Sequence, residues 1–289
     1  MPSNRRTFLG QIAAGALLST AVEHAAERKL DKLGLQLYTV RDDMAKDFDG
    51  TLAKVAAAGY QEVEFAGYFD HDPKAVRDAL VRHRLTSPSA HIDYSTLETK
   101  LPQVIEASHT IGHKFIVNPW LDEEMRKQPG VWGRVAATFN RVGAELKKAG
   151  IQFAYHNHHF EFVAVNGVKP FDLLLKECDP DLVKIELDLC WITVAGEDPL
   201  EYFGRYPGRF PLVHVKGLKK VPAGPAPVPF DQAIPNITEV GTNDIIDWRR
   251  IFAQSKQAGI QHYFVEHDQP AAPFESIRAS AAYLRALRF

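Results

Sequence analysis

Residues 182–217 read LVKIELDLCWITVAGEDPLEYFGRYPGRFPLVHVKG, and this stretch decides the fold. It opens on a short apolar run, Leu182–Asp188, that ends in a carboxylate. A helical pattern over Pro199–Arg205 follows, and a second apolar run, Pro211–Lys216, ends on a charged residue. A run, a helix and a run in this compass form a βαβ unit, whose two strands lie parallel because the helix carries the chain back.

Outward from that unit, the same alternation fills the chain from residue 30 onward. The remaining apolar runs are Leu33–Tyr38, Glu62–Ala66, Thr86–His91, Phe115–Asn118, Ile151–His156 and Tyr263–Glu266. Amphipathic stretches lie between them, at Phe48–Ala58, Lys74–Arg84, Thr99–Ile111, Val131–Ala149, Phe171–Glu177 and Trp248–Ala258. Gly59, Gly112, Gly150 and Gly259 each fall between a helical pattern and the next run, where a left-handed C′ residue is expected. Eight strands with helices between them predict a single (β/α)8 barrel over residues 31–289, a fold that takes ~250 residues. An open doubly wound sheet is the second choice. It is weakened by the absence of a Gly-x-Gly-x-x-Gly turn or a phosphate loop after any strand. The connection from Gly217 to Asp247 carries Pro222, Pro225, Pro227, Pro229 and Pro235. Connections this long are uncommon unless they serve a function, and after strand seven this one is expected to be a lid or specificity loop over the barrel mouth.

The bulk numbers set limits. The chain has 289 residues, 45% of them hydrophobic, with 34 basic against 36 acidic residues for a formal charge of −2. That balance gives no footprint for nucleic acid. Cys178 and Cys190 are too few for a disulfide framework and lack metal-site spacing. Residues 1–27 stand apart from the fold. Asn4-Arg5-Arg6-Thr7-Phe8-Leu9 precedes a weakly apolar stretch, Ile12–Val22, which resembles a twin-arginine signal for export of folded proteins. The expected location is therefore the periplasm, with the twin-arginine (Tat) export machinery as a partner. A signal that is not cleaved leaves the protein associated with the membrane, although the apolar stretch is too short to span it.

In a (β/α)8 barrel the active site forms where the strands end. Here strand one ends Gln36-Leu37-Tyr38, and strand two carries Glu62 and Glu64. Strand three ends at His91, strand four at Asn118-Pro119-Trp120, and strand five at His156-Asn157-His158-His159, with Glu161 close behind. Strand six ends Glu186-Leu187-Asp188, strand seven His214-Val215-Lys216 and strand eight Glu266-His267-Asp268. Burying that many unpaired polar groups costs several kcal/mol each on the rough scale for polar burial. Their convergence on a bound ligand is the more economical reading. A lining of carboxylates and imidazoles without thiolates suits one divalent ion: Mn, Fe, Co, Zn or Mg.

The segments LGLQLYTVRDDM, AYHNHHFEF, IELDLCWITVAGEDP, LVHVKG and FVEHD, in that order over residues 31–289, resemble the sugar phosphate isomerase/epimerase family of xylose isomerase-like barrels. The resemblance implies a single divalent metal held by strands five to eight, with Asp188, His214 and Glu266 as ligands. Strand five departs from the pattern, because His156 stands where better-studied sugar epimerases carry Glu. Glu161 is the favoured fourth ligand, since a third carboxylate better neutralises a dication, and His156 is its competitor. His158 is read as a ligand or a substrate contact. Trp191 stands where several epimerases place a histidine, and is expected to form an apolar wall for a sugar face. Gln36, Tyr38, Glu64, His91 and Trp120 are expected substrate contacts. The backbone at Gly241–Asp244 is expected near the substrate, and the charged stretch Asp122–Lys127 is expected to be a solvated loop face.

The chemistry implied is proton abstraction next to a carbonyl of a sugar or keto-sugar, by an isomerase or epimerase. Glu266 is the base, and Glu161, His158 and Lys216 are candidates for the second catalytic group. A one-base site suits a lyase instead, eliminating from an inosose or a 3-keto-glycoside. A non-catalytic sugar-binding protein is the rival of another class, while a repair endonuclease is disfavoured by the charge. Family members often pair, which leaves a homodimer open.

Overall fold

The computed structural model of the protein describes residues 28–289. Eight parallel strands close into a barrel: β1 (Gly34–Gln36), β2 (Glu62–Ala66), β3 (Thr86–His91), β4 (Phe115–Asn118), β5 (Gln152–His156), β6 (Val183–Asp188), β7 (Leu212–Val215) and β8 (His262–Val265). The strands follow one another around the ring, and β8 closes it by pairing with β1, Gly34 opposite Phe264. The open-sheet alternative is thereby excluded. The expected twin-arginine signal lies outside the described residues. Among the described residues, no helix is long and apolar enough to cross a membrane.

Two local forces shape the strand ends that matter. β1 stops early because the Gln36 side chain accepts a bond from Tyr38 N and turns the chain into a 3-10 helix, Leu37–Val40. β6 stops at Asp188 because Asp188 Oδ1 accepts from Cys190 N and Trp191 N, capping the helix Leu189–Val194. Gly59, Gly112, Gly150 and Gly259 all adopt positive φ between helix and strand. The expected helix Thr99–Ile111 runs over Leu101–Ile111, and a short helix, Tyr94–Thr99, precedes it. Trp248–Ala258 is broken at Gln254.

Alternate residues of each strand point into the lumen. At the bottom, Phe115, Val117, Ala154, Leu212 and Phe264 form an apolar cluster separate from the main core between strands and helices. The fit there is tight, since a Cβ on Gly34 would lie 2.4 Å from Phe264 Cδ1. Above that cluster the lumen turns polar, where such barrels ordinarily stack bulky branched residues.

The connection after β7 has structure of its own. Gly217–Leu218 pairs antiparallel with Ile237–Thr238, and a short helix, Phe230–Ala233, lies between them. Asp244 fixes the return, accepting from Gly241 N, Leu218 N, Ile246 N and Trp248 Nε1. Gly241–Asp244 is thus a loop staple, and none of these residues lines the main cavity. Asp122–Lys127 is largely exposed, as expected, but it is not a plain loop. Glu123–Arg126 is helical, and the Arg126 guanidinium lies 3.6 Å from the Phe160 ring centre, which makes it a cap on the aromatic cluster.

Candidate active site

The period-two face of β7 presents His214 to the lumen, and its neighbours on β6 and β8 present Asp188 and Glu266 beside it. Four side chains converge there. His156 Nε2 lies 3.3 Å from Asp188 Oδ2, and His214 Nδ1 lies 3.7 Å from Asp188 Oδ2 and 2.9 Å from Glu266 Oε2. All four residues are buried, and one donor atom from each falls within 4.8 Å of the others. Asp188 divides its labour, since Oδ1 caps the helix and Oδ2 faces the quartet.

This quartet fits a divalent cation. His214 Nδ1 is buried without a hydrogen-bond partner, despite its closeness to Glu266. Two imidazoles and two carboxylates without a thiolate suit zinc or another first-row dication. The electrostatics are those of a cation site as well. Burial pushes the Asp188 carboxyl up, but Lys216 and His156 outweigh it and hold it well below its usual range. Burial and the neighbouring His214 hold the His156 imidazole down, at about 4, so it is neutral with a lone pair to give.

Lys216 Nζ adjoins the quartet, 3.0 Å from Asp188 Oδ2, 2.6 Å from Glu266 Oε2 and 3.0 Å from Asp268 Oδ2. Burial alone would lower the ammonium's pKa, but the three carboxylates raise it well above the ordinary lysine range.

A cavity of about 660 Å³ opens over these groups. Its wall includes Tyr38, His91, Trp120, His156, His158, Lys216 and Glu266 from the expected set. It also includes Asp268 from the end of strand eight, and Asp93, Phe230, Ile234 and Gln269, which are absent from the expected set. His158 sits among the rings of His156, Trp120, Phe160 and Phe230, and its Nδ1 has no hydrogen-bond partner. Burial, then His156 and Lys216, hold its pKa well below the usual histidine value.

Four expected site residues stand elsewhere. Glu161, the favoured fourth ligand, stands outside the quartet, and its competitor His156 faces Asp188 instead. The turn Phe160–Phe162 buries Glu161, whose Oε1 accepts from the Tyr155 hydroxyl (2.6 Å) and whose Oε2 accepts from His158 N (2.9 Å). Both oxygens are engaged in shaping the turn. Trp191 is fully buried beneath the cavity, stacked on His159 with ring centres 4.9 Å apart, so it supports the wall without forming it. Gln36 and Glu64 are fully buried too and do not line the cavity. Gln36 Nε2 donates to Glu64 Oε2, which lies 2.8 Å from His214 Nε2.

Glu186, named above only within the end of strand six, is absent from the expected site residues. It lies two positions before Asp188 and therefore on the same inward face. It contacts His91 Nε2 at 2.8 Å and His214 Nε2 at 3.4 Å through Oε2.

With this geometry in view, the likeness to known proteins can be placed. Residues 52–287 match the model of a family described as xylose isomerase-like TIM barrels. An inosose dehydratase from Lacticaseibacillus casei is 26% identical over 268 residues, covering 83% of this chain and 89% of that protein. An inosose dehydratase from Geobacillus thermodenitrificans is 24% identical over 288 residues, covering 88% and 96%. Among solved structures, a sugar phosphate isomerase/epimerase from Parabacteroides distasonis superposes with a TM-score of 0.73 at 27% identity, covering 93% of this chain and 97% of that one. The IolI protein with a bound zinc atom superposes with a TM-score of 0.68, covering 87% and 95%, and at 16% identity it shares the fold alone.

Proposed function

This chain belongs to the xylose isomerase-like TIM barrel family, and from that premise we propose that it is a divalent-metal-dependent lyase. It would eliminate water or another leaving group from the carbon β to the carbonyl of a cyclic keto-polyol or keto-sugar, an inosose or 3-keto-glycoside being the substrate class. His156, Asp188, His214 and Glu266 hold the cation. When bound, it supplies Lewis-acid polarisation of the substrate carbonyl.

The observation that carries the reading is the pairing of two unlike groups in the cavity wall. Burial holds the His158 imidazole well below the usual histidine range, and its Nδ1 has no hydrogen-bond partner. Three carboxylates outweigh burial and hold the Lys216 ammonium well above the usual lysine range, and both residues line the cavity. An elimination uses one group of each kind. The base takes the proton from the carbon next to the carbonyl, and the C–H electrons form the new double bond. The C–O bond breaks at the next carbon, and the acid gives its proton to the departing oxygen. His158 fills the first role and Lys216 the second, while Glu266 accepts from Lys216 and keeps it oriented. Each role is worth ~10²–10⁴-fold in rate.

Epimerisation, in contrast, draws on bases at both faces of one carbon. His156 in place of the strand-five glutamate removes one carboxylate from that pair. The dehydratase relatives support elimination further. Isomerisation stays the second reading, favoured by the Parabacteroides likeness. An export signal over residues 1–27 belongs to the same proposal, and cell fractionation tests it.

Incubation with an inosose or a 3-keto-glucoside in deuterated buffer separates the readings. Elimination yields an unsaturated ketone and free leaving group, whereas isomerisation yields only a deuterated isomer. No turnover and no exchange on any keto-sugar, with the cation bound, would sink both and favour a binding protein.

A further inference from the structure

Beneath the cation quartet lies a second cluster that the proposed chemistry does not use. Glu64 and His91 approach from one side of the lumen, Glu186 and His214 from the other. His91 Nε2 is 3.1 Å from Glu64 Oε2 and 2.8 Å from Glu186 Oε2, and His214 Nε2 is 2.8 Å and 3.4 Å from the same two oxygens. We infer that these four side chains form a second, closed cation site for zinc or a dication of similar size, with His214 as the ligand shared between the two sites.

Donors set tetrahedrally about zinc at ~2.0–2.1 Å stand ~3.3–3.4 Å from one another. The four nitrogen–oxygen edges of 2.8–3.4 Å need only a few tenths of an ångström of outward movement, and the other two pairs lie within 4.8 Å. Two imidazoles and two carboxylates complete four-coordination and leave no position for substrate, the pattern of a structural site. Glu186 is fully buried, and while its Oε2 faces both imidazoles its Oε1 has no hydrogen-bond partner, so the side chains around it do not satisfy the carboxylate. The outer groups are arranged for ligation, since Gln36 Nε2 and Ser89 Oγ donate to the two oxygens of Glu64 and fix its carboxylate. His91 lines the main cavity and provides a way in for the ion.

The shared ligand follows from the ring itself. His214 Nδ1 belongs to the upper quartet and Nε2 to the lower, on opposite edges of one imidazole. Ligation through both nitrogens makes it an imidazolate, so its remaining N–H proton leaves when the lower cation enters, as does any proton on His91 Nε2. Glu64, Glu186, Asp188, Glu266 and the imidazolate supply five negative charges. Two dications and the Lys216 ammonium supply five positive ones, and Asp268 is the one carboxylate left over.

The test counts metal on the full-length protein, stripped with chelator and reloaded with zinc alone, by elemental analysis per chain. Two equivalents are expected in the parent, one in Glu186→Gln and one in His156→Ala. Should Glu186→Gln fail to fold, His91→Gln takes its place. One equivalent in the parent, unchanged in Glu186→Gln and lost in Asp188→Ala, overturns the second site and leaves the proposed function standing. One equivalent lost in Glu186→Gln but kept in His156→Ala and Asp188→Ala supports the lower site and removes the upper. None at all overturns both. With two equivalents of copper(II) as the probe, the bridge predicts an exchange-coupled pair in electron paramagnetic resonance, replaced by an isolated copper signal in Glu186→Gln. Two uncoupled signals in the parent overturn the shared ligand.

Discussion

Glu64 reaches across the barrel lumen to His214, placing its Oε2 2.8 Å from the ring Nε2 and leaving Nδ1 toward Asp188 and Glu266. A carboxylate behind a ligating imidazole fixes the ring's orientation and raises its basicity, and loss of such a partner typically weakens a metal site ~10–100-fold. Glu64→Gln keeps the size and removes the charge. With the lower cluster unloaded, it should lower the affinity of the upper quartet for zinc by about that factor in a chelator competition. An unchanged affinity would show that β7 packing alone orients His214.

The barrel was legible because its signal is repeated: eight apolar runs, each ending in a polar residue, with glycine between helix and strand. Asp188, His214 and Glu266 were legible for the same reason. What failed to show was whatever depended on depth or on a turn. Glu186 stands in the same strand end as Asp188, but nothing in the strand-end pattern assigns it a role, although period-two alternation aims it at the lumen beside Asp188. Glu161 reads as a ligand because a third carboxylate better neutralises a dication. A single 3-10 turn sends it under Tyr155, and no periodicity announces such a turn. Phe230 lies in a proline-rich connection with no pattern to mark it, yet its ring packs on Trp120 and His158 at the cavity.

His156 sets the charge of the upper quartet. Replacing it by glutamate gives three carboxylates and one imidazole, a harder donor set that suits Mn or Mg better than the present one. For His156→Glu purified from the same medium as the parent, elemental analysis should show a larger share of Mn or Mg. An identical metal profile would remove His156 from the ligand set.

Lys216 is assigned to proton donation and not to holding the cation. Lys216→Met retains the length of the stem, and should lower kcat ~10²–10⁴-fold with a smaller change in KM. Metal content should hold, because the ammonium 3.0 Å from Asp188 Oδ2 and 2.6 Å from Glu266 Oε2 shares the cation's carboxylates. Lost metal with unchanged turnover per bound ion would reverse the assignment.

Phe230 brings the loop after β7 onto the cavity, its ring centre 5.5 Å from Trp120 and 5.3 Å from Trp191. The loop is anchored independently by His159 Nε2, which lies 2.6 Å from Val228 O. Phe230→Ala should therefore leave the fold intact and remove apolar contact with the substrate. At ~1.5–3 kcal/mol for a phenylalanine side chain, KM should rise about tenfold or more while kcat changes less. A KM equal to the parent's would mean that the loop does not touch the bound substrate.

Glu161 offers a test in stability. Burial pushes its carboxyl up from 4.5 to about 7, against the opposing bonds from Tyr155 and His158 N. The folded state thus binds the proton more tightly than the unfolded chain. Below pH 4.5 both states carry it, between 4.5 and 7 only the folded state does, and above 7 neither does. The contribution to stability is therefore complete at low pH and is lost as pH rises through that window. A shift of this size corresponds to about 3 kcal/mol. Glu161→Gln cannot ionise, so its Tm should decline less than the parent's between pH 5 and 8, whatever constant cost the amide brings. Its metal content should match the parent's, since Glu161 stands outside both quartets. Parallel pH profiles would mean that the carboxyl titrates normally in the folded protein, and loss of metal would return Glu161 to the ligand set.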